Sequence, residues 1–125
     1  MRTINQKDIL LCDFGEGVGS EQEKTRPALI VSNNLNNAYS DTIIVCPITS
    51  QNKKKNKKKE FPTHFILDNI KYPFFSKENN TVLCEQIRCV SRQRLGQYLG
   101  SIDDNDWHDV LEKMKINFSD IEVFS

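Results

Sequence analysis

Arg26 stands directly before Pro27, between a glycine-bearing segment and an apolar run, so its backbone is pinned beside a stretch able to approach a ligand closely. A guanidinium stays charged at any ordinary pH and can fork two parallel hydrogen bonds onto a phosphate, which suits it to stabilising charge on phosphorus. A surface ion pair is the plainer alternative. Thr49, Ser50 and Gln51 follow another apolar run, where hydroxyls and amides can donate to phosphate oxygens or simply shape a turn. His64, after Pro62 and Thr63, carries one of the chain's two imidazoles, the side chain whose ordinary titration range suits proton transfer near neutrality. Glu85, Gln86 and Arg88 lie between two apolar runs and could line one side of a groove or form a structural hydrogen-bond network.

Short β-type runs must position these groups. Residues 8–14, 27–32, 42–48, 64–67, 81–85 and 87–91 read as strands separated by turn-rich segments. Several are continuously apolar, Ala28-Leu29-Ile30-Val31 and Ile43-Ile44-Val45-Cys46 among them, as expected of strands buried on both faces in a small, strongly curved sheet or barrel. The two longest connections, 15–25 and 49–62, flank strands of the expected core, and long loops often carry function. Gly15, Gly17 and Gly19 make the first flexible, but charged residues and then a strand follow them, so this is neither a dinucleotide fingerprint nor a P-loop. Asp103 caps a closing helix with Asp104 and Asp106 in its first turn. Trp107, Val110, Leu111, Met114 and Phe118 form its core-facing stripe, with His108 off the stripe on the surface.

With 125 residues the chain fits a single domain, 1–125, able to bury a core without disulfides or a metal. Its longest apolar runs are too short to span a bilayer, and the N-terminus lacks a secretion signal, so the expected compartment is the cytoplasm, with no membrane partner. Cys12, Cys46, Cys84 and Cys89 each sit in an apolar run without the C-x2-C spacing of a zinc site, and are expected to be buried, inert thiols. Cys84 and Cys89 would point to opposite faces of one regular strand, which argues against a shared ligand role. No cofactor and no metal is expected. The formal net charge is zero, yet six lysines crowd into 53–59 while the stretch 103–122 is mostly acidic. The lysine run is either a solvated loop or an arm that steers a polyanion.

Taken together, Gly17-Val18-Gly19-Ser20-Glu21-Gln22, Thr25-Arg26-Pro27-Ala28-Leu29-Ile30-Val31-Ser32-Asn33, Pro47-Ile48-Thr49-Ser50-Gln51, Pro62-Thr63-His64, and Glu85-Gln86-Ile87-Arg88 running on to Arg94-Leu95-Gly96 and Leu99-Gly100-Ser101 resemble the MazF/PemK/Kid toxin family over nearly the whole chain. The resemblance implies a mainly β fold with α, a small SH3-like barrel closed by a C-terminal helix. It also implies a homodimer binding single-stranded RNA along its interface, and a cognate MazE-like antitoxin. Arg26 and Thr49 match the family's catalytic pair, while Ser20, Gln22, Gln51, His64 and Gln86 match or neighbour RNA-contacting positions; Ser50, beside them, is a further candidate contact. The implied reaction is attack of a 2'-hydroxyl on the adjacent phosphorus, leaving a 2',3'-cyclic phosphate and a 5'-hydroxyl, which demands RNA because DNA lacks the nucleophile. The run 53–59 is more basic and longer than is usual in the family after this motif.

Two other functions fit the same architecture. One is a toxin that inhibits gyrase by binding it, as the related CcdB toxins do, against which Arg26 and Thr49 weigh. The other is a catalytically silent RNA-binding barrel, because activity depends on fine positioning that a sequence does not display.

Overall fold

The computed structural model describes residues 3–51 and 61–123, so the lysine run at 53–59 lies outside the described residues. Its longest strand, β3 (Thr42–Gln51), meets three partners along its length. β2 (Thr25–Ile30) pairs with it from Ala28↔Pro47 to Ile30↔Val45. β6 (Arg88–Ser91) pairs with its first half, and β5 (Asn79–Leu83) with its second, from Ile48↔Val82 to Gln51↔Asn79. β1 (Asp8–Asp13) links β2 to β7 (Leu95–Ser101), and β4 (His64–Asp68) flanks β5. All these pairings are antiparallel. Among the described residues no ladder joins β4 to β7, so the expected barrel is a barrel-like sheet left open.

The continuous apolar runs are explained by two cores, one on each face of the sheet. Ile9, Leu29, Cys46, Ile48, Leu67 and Val82 enter one cluster, together with Trp107, Val110 and Met114 of the helix α2 (Asp104–Ile116). Their strand neighbours Leu10, Ala28, Ile30, Ile43 and Val45 enter the other, with Cys12, Phe14 and Val90. Alternation therefore operates, but both faces bury what they receive.

Asp103 caps α2 as expected, its carboxylate accepting from the Asp106 backbone N–H at 2.8 Å. Lys71 bridges Asp103 and Asp106, and Lys7 pairs with Asp104, and these contacts hold the Asp103 and Asp104 carboxyls below their ordinary range. His108 is exposed.

Phe118 departs from the expected stripe, since it is 79% exposed. The helix ends at Ile116, where the Asn117 and Phe118 N–H groups bond the Met114 and Lys115 carbonyls in the tighter three-residue pattern, which rotates Phe118 off the stripe. Cys89 is also a correction. Cys12, Cys46 and Cys84 are buried, but Cys89 is exposed, because β6 turns Val90 inward and Cys89 outward opposite exposed Ile44. Nor do Cys84 and Cys89 share a strand, since Cys84 opens a 3-10 turn, Cys84–Gln86. Burial pushes the Cys12 thiol up to about 11, and Cys46 is raised by its hydrogen bond with Cys84 and by burial, as befits unreactive thiols.

Two further elements lie beyond the expected set: the helix α1 (Asn34–Tyr39), capped by Asn33, and β7. β7 contains Gly96 and Gly100 and pairs with β1 through register shifts. At Gly100 a Cβ would stand 2.4 Å from the Phe74 ring. Gly100→Ala is therefore expected to lower stability by about 1–3 kcal/mol through overpacking, read as a reduced urea midpoint. An unchanged midpoint would mean that Phe74 has room to retreat.

Candidate active site

Arg26 and Thr49 lie on different strands, and the sheet register relates them. The β2–β3 ladder pairs Ala28 with Pro47 and Ile30 with Val45, so the same register carried two residues further sets Arg26 opposite Thr49. The bonded ladder stops short of that point, at Ala28↔Pro47, where Pro27 and Pro47 lack an N–H to donate. The two strands thus present Arg26 and Thr49 on one face where their ladder ends, each half-buried. β3 itself runs on to Gln51, so Thr49, Ser50 and Gln51 are strand residues with a rigid base, not part of the loop that follows the sheet.

Alternation then divides the neighbouring candidates. Thr49 pairs with Thr81, which pairs with Ile66, and His64 pairs with Leu83, so Thr49 and His64 share a face. Ser50 faces the other way, where its hydroxyl donates to the Asn80 side-chain oxygen, Oδ1, at 2.6 Å. Gln51 pairs with Asn79 at the strand end.

A cleft of about 430 Å³ opens beside Pro47 and is lined by Glu21, Gln22, Glu85, Gln86, Ile87 and Arg88. Pro47 is the residue of β3 two before Thr49, and Arg88 pairs with Val45, so Arg88 stands on the face that carries Arg26 and Thr49. The Arg88 guanidinium lies over the Phe14 ring, 5.5 Å from its centroid. Such a contact orients a cation without neutralising it. Glu85 and Gln86 belong to the 3-10 turn, not to a strand, so they diverge to different partners instead of alternating between two sheet faces.

The polar side chains here are held individually. Arg26 donates its Nε–H to the Glu23 carbonyl at 2.9 Å, and among the described residues its two terminal nitrogens are left for a ligand. The Gln86 side-chain carbonyl accepts from the Gln22 backbone N–H, and its amide nitrogen donates to the Ser20 carbonyl, both at 3.1 Å. Glu85 receives Thr63 Oγ1 at 2.8 Å on one oxygen and lies 2.9 Å from His64 Nε2 through the other. The His64 ring also packs on Phe61, with centroids 5.1 Å apart.

The structure thus gathers Gln22 and Gln86 around one cleft, joins His64 to it through Glu85, and sets Arg26 and Thr49 on the adjoining face. Ser20 meets the cluster only through its carbonyl, and Ser50 does not join it. Arg88 and Glu21 complete the cleft lining, and neither was among the expected RNA contacts. Arg88 does stand in the polar stretch read from the sequence as a possible groove wall, and it lines this cleft with Glu85 and Gln86.

Residues 5–118 match the family described as PemK-like, MazF-like toxins of type II toxin–antitoxin systems. The chain is 34% identical over 119 residues to the endoribonuclease EndoA of Bacillus subtilis (strain 168), a match spanning 95% of this chain and 97% of that protein. A crystal structure of MazF from Deinococcus radiodurans superimposes with a TM-score of 0.75 at 21% identity, covering 94% of this chain and 98% of the other. An endoribonuclease from a mycobacterial species, solved with its cognate antitoxin, gives 0.69 at 19% identity, covering 92% and 94%. At those identities the two structures speak for the fold, while the family match and the curated relative speak for descent. The chain belongs to the PemK-like, MazF-like toxin family of type II toxin–antitoxin systems.

Proposed function

We propose that this chain is a toxin endoribonuclease that cuts single-stranded RNA at a short recognised sequence, without a metal, by attack of a 2'-hydroxyl on the adjacent phosphorus. The observation that carries the reading is the register relation of Arg26 and Thr49 on one face, beside a cleft lined by Gln22, Gln86 and Arg88. In this mechanism Arg26 stabilises the charge that builds on the phosphoryl oxygens, since a guanidinium is too weak an acid to move protons near neutral pH. Thr49 donates a hydrogen bond to the same phosphate. Gln22 lines the cleft where the RNA would lie, Ser20 and Gln51 remain candidate contacts, and Arg88 adds a second cation against the Glu21 and Glu85 carboxylates of the cleft.

His64 is the proposed proton carrier, on the Thr49 face and held by Glu85. His64→Ala should slow single-turnover cleavage by about 100-fold or more; an unchanged rate would remove histidine from the scheme and leave proton transfer to water.

The relative EndoA is named an endoribonuclease, and a solved relative is described in complex with its cognate antitoxin. For this chain we accordingly propose a homodimer and a cognate antitoxin whose acidic, apolar tail covers the cleft. Among the described residues no helix is long and apolar enough to cross a membrane, and the proposed place of action is the cytoplasm, where RNA is available as substrate.

The deciding experiment incubates the protein with a long mixed-sequence RNA in excess EDTA and maps the cut ends. Cleavage at one recurrent sequence with cyclic-phosphate and 5'-hydroxyl ends is the expected result. Intact RNA from a folded protein would overturn the reading and direct attention to gyrase inhibition or silent RNA binding.

A further inference from the structure

We infer that Gln86 is a positioning residue that aims Arg26 through the intervening loop. The inference rests on the endoribonuclease reading for its kinetic consequence, though not for its structural one.

Both ends of the Gln86 amide are already engaged. Its oxygen takes the Gln22 N–H and its nitrogen gives to the Ser20 carbonyl, each at 3.1 Å, across more than sixty residues of sequence. The pair is directional, because rotating the amide by half a turn would set N–H against N–H and oxygen against oxygen. Gln86 therefore grips one short stretch of backbone, 20–22, from the opposite wall of the cleft.

The next residue, Glu23, is the one whose carbonyl accepts the Arg26 Nε–H at 2.9 Å. The grip of Gln86 is thus separated by a single intervening peptide unit from the group that orients the guanidinium. The loop needs such a hold. Gly15 and Gly19 take positive φ, and so does Lys24, so several backbone positions lie in a conformation that ordinary side chains do not enforce. Within the loop, Glu21 N–H to the Val18 carbonyl and Gly17 N–H to Glu23 Oε2 are local bonds, and at its base Lys24 N–H to the Gly15 carbonyl at 2.6 Å and Phe14 N–H to the Lys24 carbonyl at 2.9 Å fix one side of the peptide that carries the Glu23 oxygen. The Gln86 amide ties 20–22 to the turn that follows β5. Freed from it, the 20–22 segment can drift, and the Glu23 carbonyl, then held from the far side alone by the Lys24 N–H of its own peptide, can tilt away from Arg26. Drift of about an ångström at a phosphate-binding group is enough to cost about 10- to 100-fold in rate.

The test uses Gln86→Met, which keeps the side chain's length without its amide, and Gln86→Glu, which keeps the acceptor for Gln22 and loses the donor to Ser20. In the RNA-free protein, NMR solvent exchange is read at the Gln22 backbone N–H and the Arg26 Nε–H. Both should exchange faster in Gln86→Met, with Gln86→Glu between it and the wild type and the Leu29 amide of β2 unchanged. In cleavage assays Gln86→Met should lower kcat by about 10-fold or more with little change in KM, and should add nothing in an Arg26→Lys background. Three results would overturn the inference: Arg26 Nε–H protection that persists when the Gln22 amide opens, losses from Gln86→Met and Arg26→Lys that multiply, or a raised KM with kcat intact, which is the mark of a direct RNA contact. If the wild type cuts no RNA, the proposed function fails by itself, and the exchange measurement still decides whether Gln86 holds Arg26.

Discussion

Arg26→Ala is expected to reduce RNA cleavage by about 100- to 1000-fold, the usual consequence of removing one preorganised donor from a developing oxyanion, while the sheet stays folded. The side chain is half-buried and its Nε–H is committed to the Glu23 carbonyl, so the guanidinium is held before substrate arrives and does not have to be ordered during the reaction. Loss of the side chain removes a loop contact but no core packing. Arg26→Lys keeps the charge and loses both the Nε bond and the two-pronged grip on phosphate, so it should recover only a small part of the rate. Thr49→Ala should fall in the same direction, and Thr49→Ser, which restores the hydroxyl, should recover much of the loss. Single-turnover cleavage with enzyme in excess isolates the chemical step. A loss below about 5-fold in Arg26→Ala would take the residue out of the transition state, since such a loss is smaller than a positioned donor provides.

The largest effect on stability is expected at Asn80. This residue has no exposed surface, yet its amide nitrogen donates to the carbonyls of Leu67 and Lys77, both at 3.0 Å, while its oxygen accepts from Ser50 at 2.6 Å. One side chain therefore ties β3, β4 and the turn before β5 together on the face that packs under α2. Asn80→Ala leaves these partners without their bonds in a dry setting and opens a small cavity, at a cost of about 3 kcal/mol or more. Asn80→Asp, close in shape, should not rescue it, because it keeps the acceptor for Ser50 but loses both donors and buries a charge. Urea denaturation followed by far-UV circular dichroism reads the difference. A change smaller than about 1 kcal/mol would mean that water replaces the amide without loss.

Ser50 illustrates where reading the chain alone stops. Beside Thr49 it looks an equal candidate for phosphate, since both hydroxyls stand in one short polar motif. Continuing β3 to Gln51 imposes alternation, which sends Thr49 to the face of Arg26 and Ser50 to Asn80. Cys89 is the same lesson on an edge strand, where an apolar run does not imply two buried faces. Phe118 falls outside the apolar stripe for a different reason, because the helix ends before it.

The strands over 8–14, 27–32 and 42–48, the Asp103 cap and most of the apolar stripe were legible because they rest on local forces: β-branched runs, prolines that end ladders, and a carboxylate that meets free N–H groups. The family is legible too, in motifs that fall in order along the chain. α1 was not, since Asn-Leu-Asn-Asn-Ala-Tyr has no apolar stripe, nor was β7, whose glycines lower its strand propensity until Phe74 and β1 supply a reason for them. What only the tertiary structure decided is how the site is assembled. That Arg26 and Thr49 fall on one face is a matter of register, while the hold of Gln86 on the 20–22 backbone and the sharing of Glu85 by Thr63 and His64 are contacts across tens of residues. They depend on sheet register and on where a ladder ends, and no local preference of the chain encodes either.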